Sequence, residues 1–223
     1  MRTQGKTYLP AAGRDWLLPF FDPFTKLLGI EALHRRLVDQ AAISPGHRVL
    51  EIGSGTGNLV ILAKTATPTA EVMGIDPDPK AVSRARQKAE RRRLQLSFDQ
   101  GFSEDLPYPD GSFDRILSAF MLHHVKPDAK ALTLRETFRV LKPGGSLHLA
   151  DFEESDQPTG GLHGLIASRL HSRHGSSPHH LVLNLMKEAG FDDPQEVAHQ
   201  TTVMGRILYY KAVRSKSAFP TAA

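Results

Sequence analysis

Cysteine is absent from the 223 residues. That excludes a disulfide framework, a thiolate zinc site, an iron–sulfur cluster and any cysteine nucleophile. Aromatic residues are sparse at 7 %, with a single tryptophan, and no apolar run reaches the roughly 18 residues that a membrane span needs. Nor is one sign of charge in large excess: 28 Lys and Arg stand against 24 Asp and Glu, a net of +4 with His neutral. Even with an isoelectric point near 9.4, that balance alone does not argue for a nucleic-acid partner. Internal repeats and long low-complexity tracts are missing too. The segment Met1–Lys6 leads into no apolar core followed by a small-residue cleavage site, so the expected location is cytoplasmic, without membrane insertion. What is present, 40 % hydrophobic and 23 % charged residues, reads as a soluble globular chain of ordinary domain size.

Along the chain, residues 1–30 are rich in aromatics and prolines (Tyr8, Trp16, Phe20, Phe21 and Phe24; Pro10, Pro19 and Pro23) and read as an irregular arm. Leu33, Leu37, Val38 and Ala41 recur at helical spacing until Ser44-Pro45-Gly46 breaks the pattern. From there short apolar strands alternate with helices. The spacing predicts strands at 48–52, 71–75, 95–100, 112–118 and 146–151, the last after the turn Lys142-Pro143-Gly144-Gly145. Helices are predicted at 58–66, 78–92 and 128–141. Such alternation specifies βαβ units and a parallel sheet with helices on both faces. Residues 181–189 read as a helix stopped by Gly190, and 191–200 with 205–213 as two strands joined without a helix, hence an antiparallel hairpin. The expected organisation is an N-terminal helical arm or lid (1–43), a ligand-binding core (44–152), a variable substrate-side insertion (153–180), and a helix with hairpin (181–215) completing the same domain.

The strongest local signal is Val49-Leu50-Glu51-Ile52-Gly53-Ser54-Gly55-Thr56-Gly57-Asn58. It stands after the first strand and before the first core helix, where glycines let the backbone turn sharply and approach a ligand. The dinucleotide fingerprint is G-x-G-x-x-G, but here the third glycine arrives one residue early, and no Lys-Ser/Thr follows to make a triphosphate loop. Glu51 would repel a pyrophosphate and favour an amino group or a sulfonium. Asp76 ends the second strand about 20 positions on, where such folds bind a ribose diol. Asp78, nearer the next helix, suits an N-cap better.

These residues resemble the class I S-adenosylmethionine-dependent methyltransferases, in particular the small-molecule branch similar to the ubiquinone/menaquinone C-methyltransferases. The resemblance covers roughly Arg48 to Asp151. It rests on Val49–Asn58, Gly74–Asp76, Glu104–Pro109 (E-D-L-P-Y-P), Asp110–Asp114 (D-G-S-F-D), Leu122–Val125 (L-H-H-V) and Arg139–Gly145 (R-V-L-K-P-G-G), in that order. It implies a Rossmann-like α/β fold whose seven-stranded, mostly parallel sheet carries helices on both faces and ends in a C-terminal antiparallel hairpin. It also implies S-adenosyl-L-methionine as cofactor. Gly53, Gly55 and Gly57 would line its methionine part, with Glu51, Ser54 and Asn58 also among the cofactor-binding residues, while Asp76 would bind the ribose and Pro77 would pack on the adenine. Backbone groups around Ser118 and Ala119 would meet its amino group. One position departs: where the family often reads G-D-A after the third strand, this chain has Gly101-Phe102-Ser103. Phe102 cannot accept a bond from the adenine amino group but can stack on the ring, and the Ser103 backbone can reach its edge.

Methyl transfer from a sulfonium is an in-line displacement, so alignment of the reactants supplies much of the catalysis. A general base helps with a phenol, an enol or an activated carbon, and histidine suits neutral pH. His123 and His124 follow the fourth strand, close to where the methyl should point, and His124 is taken ahead of His123 by a small margin. The alternative is that one caps the loop or packs against the sheet while only the other faces the pocket, with proximity alone carrying the reaction. His163, His171, His174, His179 and His180 fall in the insertion without cysteine or regular ligand spacing, so no metal is expected. Asp114 reads as structural. Arg84, Arg86, Lys88, Arg91, Arg92 and Arg93 form the outward, solvated face of an amphipathic helix.

The apolar stretch Trp16–Phe24 suits a lid over a hydrophobic acceptor, excluding water from the transfer. The leading expectation is methyl transfer to a small apolar molecule such as a quinone precursor, a phenol or a lipid. A non-catalytic cofactor-binding regulator or assembly subunit is the second option. Nucleic-acid methylation is the third, weakened because Ser118-Ala119-Phe120-Met121 stands where an Asn/Asp-Pro-Pro-Tyr/Phe motif belongs. A nicotinamide oxidoreductase is disfavoured by the glycine spacing and Glu51. The acceptor atom and the oligomeric state, a homodimer among the options, stay open at this stage.

Overall fold

The computed structural model describes residues 29–153 and 178–216. The expected arm over residues 1–28, with its aromatic lid, and residues 154–177 of the expected insertion lie outside the described residues. So do the ring positions of the histidines in that insertion.

Seven strands form one sheet in the order β3-β2-β1-β4-β5-β7-β6. They are β1 (Arg48–Ile52), β2 (Glu71–Asp76), β3 (Ser97–Gln100), β4 (Phe113–Ala119), β5 (Leu141–Phe152), β6 (Asp192–Thr202) and β7 (Gly205–Val213). The pairs from β3 to β5 are parallel, while β7 runs antiparallel to β5 and β6 antiparallel to β7. The expected architecture is therefore present, including the terminal hairpin. Five α-helices accompany the described strands: α1 (Ile30–Ala41), α2 (Asn58–Ala66), α3 (Pro79–Arg91), α4 (Pro127–Val140) and α5 (Pro178–Glu188).

The period-two alternation of the strands divides the core into two layers. Val49 and Val72 join Leu33, Leu37, Leu59 and Val82 from α1, α2 and α3 on one face. Leu50, Ile52 and Ile75 join Leu134, Val140, Val182 and Met186 from α4 and α5 on the other. A one-residue slip of β1 would exchange these two sets, so its register is strongly specified. α1 descends antiparallel to the central strands. The carbonyl of its last residue, Ala41, accepts from Arg115 Nε near the start of β4 (2.8 Å), while His34, one turn from its start, meets Phe120 just beyond the end of β4.

Three local features differ from or refine the sequence reading. Lys142–Gly145 is not a turn ahead of β5 but a bulge within it: Leu141 pairs with Phe113, and the next paired residue is Ser146, opposite Arg115. The bulge is pinned by Gly144 N–H donating to Arg214 O (2.6 Å) and Arg214 N–H donating to Gly145 O (2.9 Å). Lys142 Nζ also binds Asp114 Oδ2 at 2.8 Å, which gives Asp114 its structural role. Arg214 Nη1 donates to the carbonyls of Phe138, Arg139 and Leu141, tying the chain end to carbonyls that α4 leaves unpaired. Asp78 is the N-cap of α3, accepting from Lys80 N at 2.8 Å.

Because β1→β2→β3 spread one way from the centre and β4→β5 the other, the connections diverge at the carboxyl ends of β1 and β4. That crevice is where an open α/β sheet holds its ligand.

Candidate active site

On the β1–β2 side, Gly53, Gly55 and Gly57 all have positive φ, at 75°, 50° and 79°, a conformation costly for any residue with a Cβ. Their surroundings differ. A Cβ at Gly53 would lie 2.3 Å from Met121 Cγ, and one at Gly57 would lie 2.9 Å from both Ala85 and Phe98, whereas one at Gly55 would meet nothing within 4 Å. Gly53 and Gly57 thus permit close packing of the protein on itself, and Gly55 borders open space.

The loop is stitched to β2 from beneath. Gly53 and Ser54 N–H both donate to Ile75 O, Gly57 N–H donates to Ser54 O, and Gly55 N–H donates to Asp76 Oδ2 at 2.8 Å. Asp76 Oδ1 accepts from Asp78 N. Each oxygen of this buried carboxylate keeps a second lone pair for hydroxyl donors. Burial pushes the Asp76 carboxyl up, partly offset by these two N–H bonds. Glu51 is buried to 3 % exposure and its Oε2 accepts from Val60 N at 3.0 Å. Burial drives its carboxyl well above the ordinary range, with the nearby Asp76 adding to the shift. A buried acid with so little hydrogen bonding is a ready partner for an ammonium.

Lys88 does not join the solvated face expected of α3. Its Nζ donates to Thr56 Oγ1 (2.9 Å) and Asn58 Oδ1 (2.7 Å), bracing the loop from α3. Four of its basic neighbours, Arg86, Arg91, Arg92 and Arg93, are exposed as expected. The Asn58 side chain is thereby turned toward Lys88. Ser54 Oγ is buried without a hydrogen-bond partner, lying against Gly74, whose own missing Cβ leaves room for it. After β3, Gly101 N–H donates to Asp76 O, which brings Phe102 beside the Asp76–Pro77 segment. Ser103 Oγ is hydrogen-bonded to Thr133 on α4 at 2.8 Å.

On the β4–β5 side, Ser118 Oγ donates to Ile52 O at 3.1 Å, locking β4 to β1 beneath the surface of the crevice. Ala119 is followed by Phe120, which takes a left-handed φ of 55°. Its N–H donates to Ala150 O. Such a conformation in a bulky residue is strained and needs its surroundings to hold it. A 3₁₀ turn, Leu122–His124, then places two imidazoles in contact, their centroids 3.9 Å apart. They are not equivalent. His123 is half-buried, with its Nδ1 2.5 Å from Asp151 Oδ1, while His124 is exposed.

Asp151, in β5, was not a candidate from the sequence. Its only signal was position, a carboxylate near the carboxyl end of a central strand. It is 3 % exposed and accepts from His123 N, Phe152 N and the His123 ring. Burial alone would raise its carboxyl, but the charge and hydrogen bond of His123, with the two N–H groups, hold it below the usual range. Rings line the same rim: Phe152 stands edge-on to His123 at 5.1 Å, Phe120 lies 5.3 Å from Phe152, and His34 lies 6.1 Å from Phe120.

These residues suit S-adenosylmethionine: a buried acid for its ammonium, a second for its ribose hydroxyls, and a glycine beside open space. Among the described residues, no group of three or more His, Cys, Asp or Glu is arranged to hold a metal ion.

Comparison with known proteins agrees. The sequence family described as a methyltransferase domain matches residues 49–145. A demethylmenaquinone methyltransferase of Thermus thermophilus is 37 % identical over 153 residues, covering 67 % of this chain and 67 % of that protein. The erythromycin 3''-O-methyltransferase of Saccharopolyspora erythraea is 31 % identical over 191 residues, covering 81 % of this chain and 62 % of its own length. The chain thus spans about two thirds of the length of these relatives. Among solved structures, phosphoethanolamine N-methyltransferase 2 of Haemonchus contortus, in complex with S-adenosylhomocysteine, superposes with a TM-score of 0.70 at 14 % identity, covering 82 % of this chain and 52 % of that one. At that identity the likeness is one of fold.

Proposed function

The chain belongs to the class I S-adenosylmethionine-dependent methyltransferases, and on that premise we propose that it methylates a small, apolar, hydroxyl-bearing acceptor, a quinol precursor or other phenol, with His123 as general base. When bound, the cofactor supplies an electrophilic methyl group on a sulfonium. Glu51 meets its ammonium. Asp76 takes the ribose hydroxyls, and Pro77 and Phe102 flank the adenine. The backbone at Gly53, Ser54, Gly55, Gly57, Asn58, Ser103, Ser118 and Ala119 encloses the rest.

The observation that carries the acceptor chemistry is the His123–Asp151 pair at 2.5 Å. With Asp151 ionised, the bond is satisfied when Nδ1 bears the proton, which leaves Nε2 as the basic nitrogen. Nε2 then takes the proton of the acceptor hydroxyl as the oxygen, or the ring carbon conjugated to it, becomes the nucleophile. Asp151 positions the ring and stabilises the imidazolium that results, and proton transfer by such a base is typically worth about 10²–10⁴ in rate. His124 lies outside this pairing, so the role first leaned toward His124 passes to His123. The half-buried rings of Phe120 and Phe152 offer an apolar, π-rich wall beside the base. The name of one relative, a demethylmenaquinone methyltransferase, is compatible with an acceptor of this class.

The test is transfer of a labelled methyl group from S-adenosylmethionine to a panel of naphthohydroquinones, simple phenols and aliphatic alcohols. Phenolic acceptors are expected to be labelled in preference to alcohols. Equal labelling of alcohols, or none of the phenols labelled, contradicts the reading.

A further inference from the structure

The cofactor carries an α-carboxylate beside its ammonium, and the glycine loop has few donors left to meet it. The N–H groups of Gly53, Ser54, Gly55 and Gly57 are all engaged within the protein, by Ile75 O, Asp76 Oδ2 and Ser54 O. Lys88 Nζ already lies between Thr56 Oγ1 and Asn58 Oδ1. Glu51, the other charged group under the loop, has the wrong sign. Of the loop's side chains, Ser54 Oγ lies buried against Gly74, which leaves room for a donor from another element.

α1 offers one. Among the described residues, the His34 ring makes no hydrogen bond to the protein and, of the other rings, meets only that of Phe120. The buried His148, by contrast, is engaged by Gln40 and Ser146. His34 stands near the carboxyl ends of the strands, with its ring 6.1 Å from that of Phe120, and close enough to Lys88 to feel its charge. It therefore lies between the loop and the end of β4. Burial, with a smaller contribution from Lys88, brings the imidazole down to about 4, so at neutral pH the uncharged ring has one N–H to give and one lone pair. Its N–H is therefore available to a ligand in the crevice.

We propose that His34 is a further cofactor-binding residue, its imidazole N–H donating to the α-carboxylate of the methionine moiety. The inference rests on the cofactor, not on the acceptor chemistry of His123, so the two readings fail separately. A hydrogen bond to a charged group is worth on the order of tenfold in affinity.

Titration calorimetry of the full chain with two ligands tests it: S-adenosylhomocysteine, which keeps the carboxylate, and 5'-methylthioadenosine, which lacks the amino-acid end. His34→Ala is expected to weaken the first about tenfold and leave the second within twofold. His34→Gln, which retains an N–H donor, is expected to recover most of the loss. Equal weakening of both ligands would mark His34 as packing alone and overturn the proposal, as would an unchanged affinity for S-adenosylhomocysteine. If the alanine variant does not fold, the glutamine variant must still bind S-adenosylhomocysteine more tightly than a His34→Leu variant does, with methylthioadenosine unaffected. Failure of that ordering also overturns it. Failure of the unmodified protein to bind either ligand would overturn the cofactor assignment itself.

Discussion

Around Gly53–Gly57 the molecule places its ligand-facing groups through main-chain geometry. At His123 and Asp151 it does so through two side chains from different strand ends. The first arrangement needs three positive φ angles, a run of N–H bonds to β2 and one buried acid, all from consecutive or regularly spaced residues. The second needs a 3₁₀ turn after β4 to meet the end of β5, 28 residues further on. The charges follow the same division. Glu51 and Asp76, the proposed cofactor partners, are buried acids raised by desolvation, whereas Asp151 is a buried acid lowered by partners the protein already provides. On the proposed assignment, the cofactor side is built for completion by its ligand and the acceptor side is complete beforehand.

The largest effect that would break this contrast is on the cofactor side. Asp76→Ala removes both the proposed ribose partner and the anchor of Gly55 N–H, and is expected to weaken S-adenosylhomocysteine by about 100-fold in calorimetry, the sum of two charged hydrogen bonds. A loss of less than about threefold would mean the loop holds itself. Next comes Asp151→Asn. It keeps the shape of the carboxylate but not its charge, and should lower turnover by about 10–100-fold while leaving cofactor affinity within twofold. A parallel fall in affinity would show that the two halves are not separable.

Arg214→Ala serves as the control away from both halves. Loss of its bonds to three α4 carbonyls and of its place over the Phe138 ring should cost about 2 kcal/mol, or roughly 4–8 °C in melting temperature, without altering cofactor affinity. The smallest effect concerns pH. Because the Glu51 carboxyl is raised on folding, its contribution to stability falls as pH rises from the ordinary carboxylate value through the raised one. Glu51→Gln should therefore raise the melting temperature of the ligand-free protein near neutral pH while weakening S-adenosylhomocysteine. Asp151 has the opposite sign. Its stabilisation is present above the ordinary value near 4 and is lost as pH falls through the lowered one, so Asp151→Asn should flatten the acid side of the stability curve. Melting curves from pH 3 to 8 measure both.

The contrast also explains what could be read before the structure. The alternation of strands and helices, the hairpin, the loop, Asp76 and the Asp78 cap follow from periodicity and local spacing, which sequence displays directly, while the seven-stranded sheet is implied by the family resemblance. His123 and His124 are adjacent and chemically identical, and only the course of the turn sends one to Asp151 and the other to solvent. Asp151 gains its meaning from a partner far away in the chain. Lys88 looked like one more cation on a helix face until its reach to Thr56 was fixed by how α3 packs. The Lys142–Gly145 bulge depends on Arg214, 70 residues later, and no local signal carries it.

The most direct measurement is single-turnover methyl transfer by His123→Ala with labelled S-adenosylmethionine and the best phenolic acceptor of the panel, alongside calorimetry with S-adenosylhomocysteine. The account predicts transfer at least 100-fold slower with cofactor affinity unchanged within twofold. Transfer at the unmodified rate, with His124→Ala the slower of the two variants, would contradict it.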